Sequence, residues 1–329
     1  MGGEAASGSL LSRSDSPTSE TRQALHSPSA RAPVARAVPV QMRRLLTSAI
    51  RVAARAPVPG MKVAKRLAVF ALHHMSLEAR VDLIRGGVLY VDLANAVGRT
   101  IWLRRDYVSE APITNLVVEN LHRGDVFLDI GANVGFFSLV AARIVGAEGR
   151  VVAFEPVPAL ANLLRKTAEA NGLGNLDIVE AAVAQSNGKA SIAAMRDSAY
   201  SHLVDGAREI DSSHGAWRST EVTTICLDEF VPRFIGRAPR LIKMDIEGAE
   251  LEALAGSTKV LSDPPGPDVI CEVGVPHLAR FGHSPRDVFA WFADYGYAAF
   301  NPTSAQPMRV EDLSEHEYNV FFTRRRREH

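Results

Sequence analysis

Four acidic residues occupy equivalent places in this chain. Asp129, Glu155, Asp245 and Glu272 each stand at or near the end of an apolar run, in VFLD, VVAFE, LIKMD and VICE. Carboxylates so placed can accept ribose hydroxyls, balance a cationic ligand, draw a proton from a hydroxyl or hold a divalent ion. The first lies in VFLDIGANVGFFSLVAA, residues 126–142. Its spacing predicts a strand over 126–130, a tight loop carrying Gly131, Asn133 and Gly135, and a helix from about Phe136. Glycine at 131 and 135 permits positive φ and a close approach to the backbone. Open α/β sheets bind ligands at such a carboxyl end.

Two residues select the ligand. A dinucleotide site wants a third glycine where this loop has Phe136. It also relies on backbone N–H groups and a positive helix end, against which Asp129 would repel a pyrophosphate. A cationic ligand without phosphate suits this loop, and S-adenosylmethionine, with its sulfonium and ammonium, is one. Glu155, which closes the next apolar run and is followed by Pro156, is placed to accept both hydroxyls of a ribose. A nicotinamide-dependent oxidoreductase or epimerase shares that acid. It would need the missing glycine and a Tyr/Lys or similar proton-transfer set, which the sequence pattern does not locate. A non-catalytic binding module would be free to lose the four acids.

The second pair of acids points to chemistry on a bound acceptor. Asp245 ends a strand that begins at Leu241, and Glu272 lies near the end of the strand in residues 267–275. Lys243 sits two residues before Asp245, on the same side of the strand, where it can hold the carboxylate's orientation. Asp245 then reads as an acceptor-orienting base with Glu272 as its helper. Paired carboxylates can instead hold Mg²⁺. A purely structural Lys243–Asp245 ion pair is the third reading. No Cys/His spacing resembles a metal site, and Cys226 and Cys271, each in an apolar run, read as buried hydrophobes in a reducing cytoplasm. His202, His214, His277 and His283 read as surface or polar-core residues in loops.

The elements needed to position these groups are legible in the same patterning. Residues 176–183 read as a third strand, Ser186-Asn187-Gly188 as a turn, and a further strand follows. Glu247 and Glu250 fall in the expected first turns of a helix after Asp245, where acids complement the dipole, and Gly256 reads as its C-cap. A helix over 285–295 and strands over 297–300 and 318–323 close the series. Residues 88–103, VLYVDLANAVGRTIWL, read as hairpin-like.

The ordered set DIGANVGFFS, AFEPVP, EAAVAQSNGKASI, TTICLDEF, LIKMDIEGAELEAL, ICEVG, YGY and NVFF, preceded by DYVSE, resembles the FkbM family of S-adenosylmethionine-dependent methyltransferases. The resemblance covers about residues 85–323; only 196–220 match nothing. It implies a Rossmann-like, seven-stranded class I methyltransferase sheet with helices on both faces and one antiparallel edge strand. It also implies O-methylation of a hydroxyl on a sugar, polyketide or related metabolite.

Composition fits one catalytic domain with tails. Ser, Ala, Arg and Pro dominate residues 1–40, and residues 1–66 hold eleven Lys or Arg against three Asp or Glu, although the whole chain balances at 37 each. Residues 1–60 read as a disordered basic tail, 61–110 as a helix and β-hairpin extension, 111–323 as the catalytic domain and 324–329 as a basic tail. Residues 41–56 have amphipathic helical spacing with arginines around the apolar side, a pattern that can give weak peripheral contact with anionic lipid. Neither that segment nor 67–75 is long enough to span a bilayer, and the polar N-terminus has no secretory h-region, so the expected location is cytoplasmic. Aromatics do not interleave with a basic patch, which argues against a nucleic-acid partner. The acceptor expected is a small molecule or glycan.

Overall fold

Alternating apolar residues in EARVD and VLYVD build an antiparallel hairpin, β1 (Glu78–Asp82) and β2 (Val88–Asp92), in the computed structural model, which describes residues 77–195, 201–204, 217–313 and 317–325. The chain then turns at Asn95 into a helix, α1 (Ala96–Arg104), so residues 88–103 are strand plus helix rather than a hairpin of their own. The Asn95 side chain accepts from Gly98 N–H at 2.9 Å, the capping geometry that favours Asn at this position. A short 3₁₀ turn (Val108–Glu110) leads into α2 (Ala111–Asn120). The tail over 1–60, the amphipathic 41–56 segment and residues 67–75 lie outside the described residues, as do 326–329.

The strand expected at 126–130 is β3 (Val126–Ile130), buried at all five positions. Side chains alternate faces along a strand, so full burial means that both faces of the sheet are covered. The helix α3 (Phe136–Val145) follows, then β4 (Arg150–Phe154), α4 (Pro158–Asn171) and β5 (Leu176–Val179). The third expected strand breaks after Val179. Its end becomes β6 (Ala182–Val183), which pairs with β9 (Trp217–Ile225) in a separate sheet completed by β7 (Gly188–Met195) and β8 (Ser201–Val204). A short helix α5 (Leu227–Phe230) and a π turn (Val231–Ile235) return the chain to β10 (Leu241–Met244).

Beyond β10 lie α6 (Glu250–Ala255), α7 (Thr258–Ser262), β11 (Asp268–Gly274), α8 (Val275–Arg280), α9 (Pro285–Asp294), β12 (Ala298–Phe300) and β13 (Glu317–Thr323). The main sheet has seven strands in the order β12-β13-β11-β10-β3-β4-β5. Strands β4, β3, β10 and β11 run parallel, whereas β13 is antiparallel to both neighbours. The single reversed strand therefore sits one place in from the edge, covered by β12. Phe322 of β13 stacks on Phe292 of α9, with ring centroids 3.8 Å apart, which ties this end of the sheet to a helix.

The chain leaves β3 toward β4 on one side and later enters β10 on the other. The order reverses between β3 and β10, and a crevice forms outside the carboxyl ends at such a point. The β1–β2 hairpin shares the core of the sheet, with Val81, Leu89 and Val91 fully buried in it. Its edge is covered by α4: Val88 N–H donates to Asn171 Oδ1 at 2.8 Å, and Tyr90 N–H to Thr167 Oγ1 at 3.0 Å. Side chains thus satisfy backbone groups that an open sheet edge would expose.

Candidate functional site

The crevice at the β3/β10 switch is a cleft of about 200 Å³. One side is formed by the loop after β3. Gly131 and Gly135 have φ of 80° and 82°, as a left-handed turn requires. Space demands glycine as well: a Cβ at Gly131 would lie 1.9 Å from the Asp245 carbonyl oxygen, and one at Gly135 would lie 2.0 Å from Leu164. The loop turns its N–H groups inward. Gly131 and Ala132 both donate to the Phe154 carbonyl at 3.0 Å, and Asn133 donates to Glu155 Oε2 at 2.8 Å. Groups engaged in this way are not presented to a phosphate, in keeping with the argument from Phe136 and Asp129. Asn133 itself has φ of 51°, and its Oδ1 faces the Asn95 amide at 3.4 Å, so the α1 cap reaches the loop.

Glu155 lines the cleft with both oxygens in use, Oε1 accepting from Val157 N–H at 2.9 Å. Burial pushes its carboxyl up to about 8, even though the two N–H donors act in the opposite direction. Pro156 lines the cleft beside it. Asp129 differs from the expectation. It is fully buried behind the loop, does not line the cleft, and accepts from Ser138 Oγ at 2.5 Å. Its Oδ1 has no hydrogen-bond partner among the described residues. Burial raises its carboxyl, and the neighbouring Lys243 opposes that rise. Any effect of Asp129 on a cationic ligand therefore acts through the loop and its field rather than by direct contact.

The other side of the cleft carries Tyr107, Glu110, Lys243, Asp245, Glu247, Glu272 and Asn319. Lys243 and Asp245 point the same way from β10, as their spacing required, with Nζ 2.8 Å from Asp245 Oδ2. Lys243 is 3% exposed and its ammonium lies 4.9 Å from the centre of the Phe137 ring. Burial would lower its pKa, but Asp245 and Asp129 outweigh that and hold it well above the usual lysine range. A charged lysine clamps one Asp245 oxygen, while the Asp245 side chain stays 34% exposed to the cleft.

Glu272, on the adjacent β11, is driven well above the ordinary carboxylate range by burial and then by Asp245. Its register partner on β13 is Asn319, whose amide lies 3.4 Å from Glu110. Lys243 clamps one oxygen of Asp245, whose charge acts on Glu272 across the two strands. Glu272 also converges on Glu247 and His277.

Sequence reasoning missed several of these groups. Glu247 is not in the helix that follows β10; it sits in the turn before α6, with φ of 61°. His277 is neither superficial nor in a loop: it lies in α8, is 4% exposed, and places Nδ1 2.9 Å from Glu247 Oε2 and 3.8 Å from Glu272 Oε2. Tyr107 packs edge-on against Phe136 at 5.6 Å, and with Glu110 it comes from the DYVSE segment, which held a signal without an assigned role. His283 pairs with Glu252 at 3.1 Å, whereas His214 and the side chain of His202 lie outside the described residues. Cys226 and Cys271 are buried as expected, although Cys226 caps α5 rather than lying in a strand. Among the described residues no helix is long and apolar enough to cross a membrane.

The chain is similar in sequence to several methyltransferases. The hexuronic acid methyltransferase AglP of Haloferax volcanii is 30% identical over 161 residues, covering 49% of this chain and 62% of that protein. Protein-L-isoaspartate O-methyltransferase 2 of Archaeoglobus fulgidus is 35% identical over 60 residues, 18% of this chain and 27% of that protein. The chain thus spans less than two thirds of either relative. Among solved structures, a SAM-dependent methyltransferase from Aquifex aeolicus aligns with a TM-score of 0.35 and 14% identity, covering 64% of this chain and 88% of that one. The methyltransferase FkbM domain matches residues 129–299, just over half of the chain and the whole stretch from the first strand-end acid to β12. The chain belongs to the FkbM family of S-adenosylmethionine-dependent methyltransferases.

Proposed function

We propose that this methyltransferase acts on oxygen, transferring the methyl group to a hydroxyl of a sugar, polyketide or related metabolite, as a free small molecule or part of a glycan. The observation that carries the reading is the Lys243–Asp245 pair at the cleft wall beside the Gly131–Asn133 loop. Methyl transfer is an in-line displacement: the acceptor oxygen forms a bond to the methyl carbon as the carbon–sulfur bond breaks, leaving S-adenosylhomocysteine. The protein's main task is alignment. An alcohol is a poor nucleophile until its proton is drawn away, and Asp245 is the group to take it. Lys243 fixes one Asp245 oxygen and leaves the other for the hydroxyl. Glu272, on the neighbouring strand, assists by accepting a second hydrogen bond from the acceptor. Glu155 receives the ribose hydroxyls of the donor, and Pro156 shapes that wall. A sugar acceptor is supported by the relative named as a hexuronic acid methyltransferase.

Calorimetry with S-adenosylhomocysteine and with NAD separates this reading from a dinucleotide enzyme. Binding of the former alone, together with a methyl ether detected by mass spectrometry when polyol acceptors are supplied, is the expected result. Tight NAD binding without S-adenosylhomocysteine binding would overturn it. Methylation confined to nitrogen or carbon acceptors would overturn the oxygen assignment.

A further inference from the structure

The floor of the cleft beyond Asp245 brings together three donor atoms from three segments. They belong to Glu247 in the turn after β10, Glu272 near the end of β11 and His277 in the first turns of α8. One ligand atom from each lies within 4.8 Å of the others. Both glutamates line the cleft, whereas His277 is buried beneath them, so a guest held here would have protein on one side and solvent or substrate on the other. Glu272 lies in the field of Asp245, Glu247 and Glu250, while Lys243 is clamped on Asp245 and the imidazole faces Glu247 and Glu272.

A second observation concerns the seat of the imidazole. Gly274 has an ordinary extended backbone, with φ of −93°, so no conformational need explains a glycine there. A Cβ at that position would lie 2.9 Å from His277 Nδ1, the ring nitrogen that faces the two glutamates. Gly248 lets the α8 backbone approach the turn, since its Cβ would lie 2.4 Å from the His277 carbonyl oxygen. The missing side chain at Gly274 leaves room for the ring with Nδ1 turned toward Glu247 and Glu272.

We infer that Glu247, Glu272 and His277 form a binding site for one divalent transition-metal ion, open toward the cleft. One imidazole nitrogen with two carboxylates suits ions such as Mn²⁺ or Zn²⁺ better than Mg²⁺ or Ca²⁺, which prefer oxygen alone. Three protein ligands on one side leave coordination positions toward the cleft, the pattern of an open rather than a closed site. Beside Asp245 such an ion supplies Lewis acidity to an acceptor hydroxyl. That role rests on the proposed O-methylation; the binding site does not.

The test uses the full chain, stripped with a chelator and titrated with Mn²⁺, bound metal being read by calorimetry and by the paramagnetic signal of free Mn²⁺. One saturable site is expected. Glu272→Gln and His277→Gln should each weaken it by at least ~10-fold, and Gly274→Ala, which removes no ligand, should weaken it as well by displacing the ring. S-adenosylhomocysteine binding is measured on the same samples as a check on folding and on the proposed function. Protein that binds S-adenosylhomocysteine but shows no saturable Mn²⁺ or Zn²⁺ site overturns the metal inference alone. So does Mn²⁺ binding left unchanged in both His277→Gln and Glu272→Gln. Metal binding lost in those variants, from a protein with no affinity for S-adenosylhomocysteine, would keep the site and overturn the proposed function. If one variant fails to fold, the remaining two decide the outcome.

Discussion

The two halves of the cleft are built in different ways. The half around Gly131, Asn133, Glu155 and Pro156 comes mostly from one stretch, from the end of β3 to the start of α4. Its single lining carboxylate already accepts two backbone N–H groups, and its loop donates back into β4 and Glu155. The opposite half draws Tyr107 and Glu110, Lys243 to Glu247, Glu272, and Asn319 from four separate segments, and four carboxylates line it against one lysine. A pre-satisfied surface binds without reorganising, whereas a charge-dense one is where a proton can move. On the function proposed above, the first half holds the donor and the second acts on the acceptor.

The sharpest break of that comparison is Asp245→Asn. Affinity for S-adenosylhomocysteine should stay nearly unchanged while the turnover rate falls by at least ~10²-fold, the low end of general acid–base catalysis. Equal loss of affinity and rate would mean that the halves do not divide the work. Next comes Gly131→Ala, where the halves touch. The added methyl meets the Asp245 backbone carbonyl and is held at positive φ, so both functions should fall together. The fold should lose about 1–3 kcal/mol of stability from the strained conformation, with a further cost from the clash, measurable by denaturant titration.

Glu155→Ala addresses the donor half alone. Above pH 8, where the carboxylate is ionised, loss of a charged hydrogen-bond partner should weaken S-adenosylhomocysteine by about 1.5–3 kcal/mol, with little change in the turnover rate at saturating donor. Its pH dependence sharpens the point. The carboxyl is raised to about 8 in the fold, above its usual 4.5, so its contribution to the stability of the cofactor-free protein is fully present below about 4.5 and is lost as pH rises through 8. The ionised form accepts the ribose hydroxyls, so affinity should change in the opposite sense, rising through pH 8, and Glu155→Gln should flatten the profile. The smallest effect is expected from Asn319→Ala. It removes a long contact to Glu110 and should raise the acceptor KM by no more than the equivalent of the ~0.5–1.5 kcal/mol of a single hydrogen bond, leaving donor affinity untouched.

Much of the donor half was legible in the sequence because it is local. A buried strand, a loop with two required glycines and a helix follow one another within residues 126–145; β3 has the expected bounds and α3 begins at Phe136 as expected. Lys243 and Asp245 were readable for the same reason, since side chains two apart on a strand share a face. Asp129 marks the limit of such reading. Its position in the motif was plain, but whether it faced the ligand or the helix behind depended on Ser138 and on the packing of α3.

What the sequence alone determined is the core strands of the main sheet and the acids at their ends, because hydrophobic periodicity and turn chemistry act over a few residues. What only the tertiary structure decided is which acids meet. The break after Val179 sent β6 to another sheet, Glu247 was left in a positive-φ turn rather than in a helix, and α8 carried His277 under Glu272. Those placements arise from contacts between residues far apart in the chain, where burial and unlike charge outweigh local preference. Local spacing cannot report a long-range contact, so the meeting of Glu247, Glu272 and His277 is visible only in the folded chain.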